Sequence, residues 1–379
     1  MSKTILYFQG AKCAANRKKL AGLTRFANAQ GWTVSILSKP SKSDSMKQIL
    51  DFWKPDGVVA NLDCDPRDFG NVPVIIMSTP PKGYHGKVFF IVHDSAATTA
   101  LVAKELLRLG YPNYAFAGAI DGQAWSPARE EAFRKILRLH GYGCSTFIPG
   151  PKDRADSIAL LARLRKWLLS LPKPCSLFAA NDDIGRSVLA AAKANGIRVP
   201  EDLAVCAVDN DEEICLNTVP TLTSVQPDFD LGGTLAGLLF KEIFENPGLR
   251  PRQDLFGPLD ILRRSSTRLC PYEDPLVAKA IEFIRKEVQS GVTVTMVANQ
   301  FPCSKRMTEI RFKRATGHTV QEEILAARTE LAYTLLRRPN ITLDAVANLS
   351  GWKTYGVFRR HFSRLTGLSP RAWRARECK

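Results

Sequence analysis

The sequence predicts an α/β region built on parallel sheets, followed by an all-α tail. Over the first 270 residues short apolar runs alternate with amphipathic segments, a pattern typical of parallel sheets covered by helices on both faces. The last hundred residues hold helix-like segments only. At 379 residues the chain is also longer than one hydrophobic core supports, which predicts two or three domains.

The predicted elements of the first region follow one another in a regular order. Eight apolar runs are predicted to be strands: residues 4–8, 33–37, 57–60, 74–77, 88–92, 114–118, 176–180 and 203–208. Amphipathic segments between them are predicted to be helices: residues 16–30, 96–109, 128–139, 158–170 and 185–195. Sheets of this kind bind ligands beyond the carboxyl ends of their strands.

Polar side chains stand at three of these strand ends. Asp94, Asn181 and Asp209 each come just after an apolar run. Carboxylates and amides gathered at one sheet edge can bond several hydroxyl groups at once, which is what a sugar requires. The alternative is that these residues only cap the next helices, since Asp and Asn are favoured there. Capping and ligand binding can coexist in one side chain.

Several motifs in the first 267 residues resemble the sugar-sensing core of LacI-type repressors and periplasmic sugar-binding proteins. They occur in the expected order: residues 54–59 (KPDGVV), Asp94, residues 129–133 (REEAF), 180–182 (AND), 208–210 (VDN) and 222–227 (LTSVQP). The resemblance implies two Rossmann-like lobes with a ligand cleft between them. It also implies that four side chains bond sugar hydroxyls: Asp94, Arg129, Asn181 and Asp209.

Other candidates for the cleft are less specific. Trp125 precedes Arg129 by four residues, where its ring could stack on the apolar face of a sugar or simply be buried at the lip of a lobe. Phe8, Asn16 and Arg17 stand at or after the first strand. No glycine-rich phosphate loop, Gly-x-Ser-x-Gly motif or histidine-rich pattern occurs, so neither an enzyme, a cofactor nor a metal site is expected.

The charge of the chain points to a nucleic-acid partner. There are 53 Lys and Arg against 37 Asp and Glu, a net charge of +16. The 109 residues from Pro271 onward carry 19 basic and 10 acidic side chains. Nine scattered cysteines without a Cys-x-x-Cys pair fit a reducing cytosol. The apolar run at residues 5–8 is too short for a signal peptide or a membrane span, so a cytoplasmic protein is expected.

One pattern occurs twice in the tail. A Val-Ala-Asn triplet is followed by a Phe-x-Arg-x-Thr-Gly segment, first at residues 297–299 and 312–317, then at 346–348 and 362–367. The triplets are 49 residues apart and the Thr-Gly pairs 50 apart. Each copy reads as a short helix, a turn, and a helix capped by Ser304 or Thr354. This is the order of a helix-turn-helix, and it predicts two units at about 294–316 and 342–366.

The second helix of each unit is expected to have one buried and one outward face. In the second unit Phe358 and Phe362 are predicted to pack inward, because they lie four residues apart. The outward face is then available to read DNA through Lys305, Arg306, Glu309 and Ile310 in the first unit and Lys353, Thr354, Tyr355, Gly356, Arg359 and Arg360 in the second. The alternative is that these charges only solvate a helix.

Residues 275–374 resemble the AraC/XylS-type DNA-binding domain. The resemblance is carried by residues 328–336 (RTELAYTLL), 341–347 (ITLDAVA), Gly351-Trp352, Phe358, Phe362 and 367–374 (GLSPRAWR). Two residues depart from the family pattern. Trp352 replaces the usual phenylalanine, and Thr308 replaces a leucine-like residue, which is expected to loosen the first unit unless Met307 or Ile310 compensates.

Together the two resemblances imply a sensor at residues 1–267, a linker at 268–275 and a DNA-binding domain at 276–379. LacI-type repressors begin with a DNA-binding headpiece, whereas this chain begins at its first strand, so the DNA reader is expected in the tail. The pairing is similar to regulators of pentose utilisation and implies D-xylose or another small aldose as effector, operator DNA and RNA polymerase as partners, a homodimer, and activation. Two alternatives stay open: a solute-binding protein or sugar-processing enzyme with an incidental basic tail, and a regulator that answers to a protein partner instead of a sugar.

Overall fold

The computed structural model describes residues 2–9, 13–38, 43–60, 65–80, 88–119, 124–150, 157–268, 274–337 and 341–377. The chain divides into two compact units, Met1–Leu269 and Cys270–Lys379. Most of the predicted linker, residues 269–273, lies outside the described residues. None of the helices in the described ranges is long and apolar enough to cross a membrane.

The first unit contains two six-stranded sheets, each flanked by helices, so the predicted α/β class is confirmed. The first lobe comprises β1 (Thr4–Gln9), β2 (Thr33–Ser38), β3 (Gly57–Ala60), β4 (Val74–Ile76), β5 (Phe89–His93) and β11 (Gln253–Phe256), with α1 (Ala14–Ala29), α2 (Ser43–Trp53), a 3₁₀ turn (Pro66–Phe69) and α8 (Phe229–Glu245). Its strands are all parallel and are ordered β11-β5-β4-β3-β1-β2.

The second lobe has the same architecture. It comprises β6 (Asn113–Ala117), β7 (Ser145–Phe147), β8 (Cys175–Ala179), β9 (Leu203–Val208), β10 (Thr223–Pro227) and β12 (Pro258–Leu262), with α3 (Ser95–Arg108), α4 (Trp125–Leu139), α5 (Ser157–Ser170), α6 (Asp182–Ala194) and α7 (Glu212–Cys215). Its strand order is β12-β10-β9-β8-β6-β7. Only β12 among these strands runs antiparallel to its neighbour, β10. Apolar clusters cover both faces of each sheet, as in other doubly covered parallel sheets.

The chain passes between the lobes three times, and the three crossovers lie side by side. They follow β5, β10 and β11. The amide of Asp94 donates to the carbonyl of Phe256 at 2.8 Å. The amide of Asp228 donates to the carbonyl of Gly257 at 3.0 Å. These bonds join the three crossovers into one connection between the lobes.

The second unit is helical and has two cores arranged along one long helix. Its elements are α9 (Pro275–Glu287), α10 (Val294–Ala298), α11 (Lys305–Thr316), α12 (Val320–Leu336), α13 (Leu343–Leu349), α14 (Tyr355–Thr366) and α15 (Pro370–Glu377). The first half of α12 packs with α9, α10 and α11, and its second half packs with α13, α14 and α15. The second helices of the two units, α11 and α14, are called the reading helices below.

Candidate ligand cleft and nucleic-acid interface

Arg129 is the side chain around which the candidate cleft is organised. It lies on α4 and is 3% exposed. Its Nη1 donates to the carbonyl of Ala180, and its Nη2 donates to Nδ1 of His93 at 3.0 Å. Nη2 is also 3.9 Å from Oδ1 of Asp209, and the guanidinium lies 4.6 Å from the Trp125 ring centroid. Three residues predicted from the sequence, Trp125, Arg129 and Asp209, therefore meet at one guanidinium.

One donor of this guanidinium is not used. Nε of Arg129 is buried and has no hydrogen-bond partner within the described part of the chain. A buried donor without a partner costs about 1–3 kcal/mol, so an acceptor that reached this group would be bound favourably. The guanidinium is thus a place where a ligand oxygen can add to an existing network.

His93 is a residue of this site that the sequence analysis missed. It ends β5 in the first lobe, and its Nε2 is 2.7 Å from Oγ1 of Thr98. Because an arginine can only donate, Nδ1 must accept from Arg129, and Nε2 carries the proton that it donates to Thr98. Burial, and to a lesser degree the positive charges of Arg129 and Lys19, lower the pKa of His93 to about 2. The ring is therefore neutral at physiological pH.

The His93 ring also belongs to an aromatic cluster at the lobe crossovers. Its centroid is 5.3 Å from that of Phe256, nearly parallel to it, and 6.0 Å from that of Phe229. The register of β5 with β11 sets His93 beside Phe256, and Phe229 begins α8. One ring therefore comes from each crossover. His93 joins this cluster to Arg129 in the opposite lobe.

Lys19 is a second cation that sequence reasoning did not single out. It lies on α1, three residues after the candidate Asn16 and so on the same helix face. Its Nζ donates to the carbonyl of Met77 at 3.0 Å and lies 5.6 Å from the Phe229 ring centroid. Burial lowers its pKa, and the carboxylate of Asp209 in the other lobe opposes that shift. Its spacing of three residues from Asn16 is the feature of the sequence that could have indicated it.

Asp209 stands on strained backbone that buried hydrogen bonds hold in place. Its φ is +118° and that of Asn210 is +46°, in the region that costs a residue with a side chain about 1–3 kcal/mol. The buried Asp182 accepts from the Ser224 hydroxyl at 2.6 Å and from the Asp211 amide at 2.7 Å. Strain of this kind is typical of binding sites, where it aims a side chain.

The two carboxyl groups share an environment that disfavours their charge. Burial raises the pKa of Asp209 to about 6, against the opposing charges of Arg129 and Lys19. Burial, together with the negative charge of Asp209, raises the pKa of Asp182 to about 7. Asp209 lies beside the cations Arg129 and Lys19. It is therefore the one of these two carboxyl groups that can accept a hydrogen bond from a ligand hydroxyl.

Asp94 and Asn181 cap helices, the alternative role considered for them from the sequence. Oδ1 of Asp94 accepts from the Ala97 amide at 2.9 Å, and Oδ1 of Asn181 accepts from the Ile184 amide at 3.1 Å. Each side chain is only partly buried and has a second polar atom beyond the capping one. Their capping role fixes these side chains at the carboxyl ends of β5 and β8.

The remaining candidates on the first lobe divide into two kinds. Asn16 lies in the first turn of α1 and is partly buried, and Nη2 of Arg17 comes within 3.9 Å of Oε1 of Glu213 in the second lobe. Phe8 is a correction. Its side chain is 1% exposed and packs with Phe69 in the core of the first lobe, with ring centroids 5.8 Å apart. Its ring is therefore not available to a ligand in the cleft.

In the second unit the repeated motif makes the same contacts twice. Phe312 and Phe362 are fully buried, one in each core. The hydroxyls of Thr316 and Thr366 each donate at 2.8 Å to the carbonyl of that phenylalanine. The glycine that follows each threonine ends the helix with a positive φ. The repeat thus encodes the end of each reading helix, and Ser304 and Thr354 cap their starts.

The predicted DNA-contacting residues lie on exposed surfaces of the reading helices, with two exceptions. Exposed members are Lys305, Arg306, Ile310, Lys353, Thr354, Gly356, Arg359 and Arg360. Glu309 is partly buried. Tyr355 is also partly buried, because its ring packs toward Phe358 in the second core with centroids 6.2 Å apart.

Thr308 is buried in the first core, and its hydroxyl has hydrogen-bond partners there. It is fully buried, and its hydroxyl donates to the Ser304 carbonyl at 3.2 Å and lies 3.5 Å from Sγ of Cys303. Met307 and Ile310 do not compensate for it, since each is 52% exposed. The buried hydroxyl of Thr308 instead has its hydrogen-bond partners in the turn that precedes α11.

Comparison with known proteins gives two domain matches. Residues 103–267 match the periplasmic binding protein-like domain, and residues 297–376 match a helix-turn-helix domain. The xylose operon regulatory protein of Escherichia coli K12 is 26% identical over 98% of this chain and 96% of its own length. That of Haemophilus influenzae is 24% identical over 84% of each chain.

The fold agrees with these matches over the whole length. A solved structure of a xylose-binding transcription activator covers 99% of this chain and 98% of its own, at 23% identity and a TM-score of 0.67. The chain is therefore homologous to the xylose operon regulatory proteins, with a periplasmic binding protein-like domain followed by a helix-turn-helix domain.

Proposed function

We propose that the protein is a transcription activator that binds operator DNA through its two reading helices and a small aldose in the cleft between its lobes. The observation that supports sugar binding is the contact of Arg129 with Asp209 and Trp125, together with the buried Nε of Arg129 that has no hydrogen-bond partner in the described residues. A guanidinium donates, a carboxylate accepts, and an indole offers an apolar face. A pyranose ring presents hydroxyls and an apolar face to such a set. Its relatives are named for the xylose operon, so D-xylose is the first aldose to test.

The mechanism follows from where the cleft residues lie. Arg129 and Asp209 belong to the second lobe, whereas His93 and Lys19 belong to the first. A ligand that bonds residues of both lobes stabilises the closed arrangement, and an equilibrium shifts only by the difference in affinity for its two states. We infer that this shift is passed to the tails of a homodimer and changes how they engage DNA and RNA polymerase in the cytoplasm.

The proposed DNA binding is tested by replacing one arginine on each reading helix. We expect Arg306→Ala and Arg360→Ala each to weaken binding about 5-fold to 100-fold, the usual cost of losing a base-reading arginine. The probe is a duplex that the wild-type chain selects from a random pool, and affinity is measured at fixed salt. Lys241→Ala in the sensor removes the same charge from an exposed helix position and serves as the control. Unchanged affinity and unchanged sequence preference in both arginine variants would rule out these reading helices.

One observation favours a different regulator, one without a sugar effector. Both terminal nitrogens of Arg129 are already bonded inside the protein, to Ala180 and His93. These two nitrogens need no ligand to complete their hydrogen bonds. Calorimetric titration with a panel of pentoses and hexoses separates the two functions. Heat with at least one aldose supports the sugar sensor, and the absence of heat with every aldose supports the alternative.

A further inference from the structure

The two helix-turn-helix units meet at one point beside α12. Arg328 lies between the half of α12 that carries the first core and the half that carries the second. Its Nη2 donates to the carbonyl of Val292, in the loop before α10, at 2.8 Å. Its guanidinium lies 5.7 Å from the ring centroid of Trp352, in the turn of the second unit. One side chain therefore contacts both units.

The backbones approach even more closely at Gly351, the residue before Trp352. Its φ is +79°, and a Cβ there would stand 1.9 Å from the carbonyl oxygen of Val288, at the end of α9. Nine glycines in the described ranges have a positive φ, and at the other eight a Cβ would meet nothing within 4 Å. Gly351 is thus required for a contact as well as for a turn.

The contact is made once, although the motif occurs twice. With the Val-Ala-Asn triplets aligned, Gly351 and Trp352 correspond to Pro302 and Cys303 in the first unit. At these two positions the first unit therefore has neither the glycine nor the ring. The two copies differ at the residues that join them, which indicates a role for these residues beyond the folding of a single unit.

The same contact is enclosed. Nε of Arg328 and Nε1 of Trp352 are both buried without a hydrogen-bond partner in the described residues. Burying such donors costs free energy, so the arrangement persists only because packing on both sides holds it. Beside it lies a cavity of about 410 Å³ lined by residues 289–294 of the first unit and 351–353 of the second. The contact between the units is therefore bordered by a cavity on one side.

We propose that Arg328, Gly351 and Trp352 form an interlock that fixes the distance and angle between the two reading helices. The interlock makes the protein sensitive to the spacing between the two halves of its DNA site. Without it the two cores lose this contact and rely on their shared packing along α12, and a single helix bends more freely than two elements in contact. This inference rests on the proposed DNA-binding function, because spacing matters only if both helices read one site.

The test compares how variants tolerate a changed spacing. The probe is the duplex selected by the wild-type chain, with its two contacted halves mapped by footprinting, and derivatives with one or two base pairs inserted between them. We expect an insertion to weaken wild-type binding about 30-fold, since a helix displaced from its groove loses its base contacts. For Arg328→Gln and Gly351→Ala we expect weaker binding to the original duplex but an insertion penalty below about threefold.

The chain provides a matched control. Gly317 has the same φ of +79° as Gly351, but a Cβ at Gly317 would meet nothing within 4 Å. Gly317→Ala introduces the same left-handed strain without the collision, so it is expected to keep the wild-type insertion penalty. Arg328→Gln carries no backbone strain, which keeps the test valid if Gly351→Ala does not fold.

A measurement without DNA separates this inference from the proposed function. We expect amide hydrogen exchange at residues 288–294 and 350–353 to be at least about tenfold faster in Arg328→Gln than in the wild type. If the wild type selects no duplex, the DNA-binding function fails and the spacing role fails with it. If the wild type binds DNA but Arg328→Gln keeps the full insertion penalty and unchanged exchange, the interlock is refuted and the DNA-binding function stands.

Discussion

Replacing Arg129 with alanine is expected to weaken aldose binding by more than about 100-fold, because it removes a charged donor whose hydrogen bond contributes about 1.5–3 kcal/mol, together with the bonds that organise the cleft around it. The substitution also leaves Nδ1 of His93 and the carboxylate of Asp209 without their cation. The measurement is calorimetric titration with the aldose that gives the largest heat with the wild type.

Arg138→Ala is the control, since Arg138 lies on the same helix and is exposed. It is expected to bind the sugar as the wild type does. His93→Phe keeps a ring between Phe256 and Phe229 but removes the acceptor, and an intermediate loss of about tenfold is expected from one charged hydrogen bond. Full sugar affinity in Arg129→Ala would show that the sugar binds outside the cleft around Arg129.

Replacing Phe362 with alanine is expected to abolish DNA binding and leave sugar binding intact. Phe362 is fully buried among Phe358, Tyr333 and Trp373 in the second core, which contains residues of the tail only. Removing a buried phenylalanine costs about 3–5 kcal/mol, a large part of the stability of a domain of about 100 residues. The tail transition in calorimetric unfolding should fall by more than about 10 °C.

Leu365→Ala on the same helix is the matched control, because Leu365 is 60% exposed. It is expected to change neither the unfolding transition nor DNA affinity appreciably, since exposed substitutions change stability by about 0.5 kcal/mol or less. Retained DNA binding in Phe362→Ala would mean that the second unit does not contribute to recognition.

The architecture could be predicted from the sequence because the fold repeats simple local patterns. The eight predicted strands all lie within one residue of observed ones, since buried parallel strands are short apolar runs. Four observed strands, β7, β10, β11 and β12, were not predicted. Of these, β11 and β12 are short, half exposed and separated by Gly257 alone.

The site was less predictable because several of its contacts join distant parts of the chain. Asp94, Asn181 and Asp209 were found from their position at strand ends. His93 precedes Asp94, yet its role depends on Arg129, 36 residues away, and on Phe256 in a neighbouring strand. Phe8 also stands at a strand end, but its side chain points into the core. Alternation along a strand decides between these outcomes, and the residue type alone does not.

Gly351 shows the same limit in the tail. The sequence marks it as a turn glycine, and its φ of +79° agrees with that interpretation. Its approach to Val288 involves residues 63 positions apart, which no local pattern encodes. Thr308 likewise could be recognised as a polar residue in a core, but its pairing with Cys303 depends on the fold of the turn.

The central claim is that sugar and DNA bind one molecule and affect each other. The most direct test measures the affinity of the full chain for its selected duplex without and with saturating D-xylose, and its affinity for D-xylose without and with the duplex. We expect each ligand to change the affinity for the other by the same factor, about 5-fold to 150-fold, because coupling between two sites is reciprocal. Binding of both ligands with no change in either affinity would contradict the account.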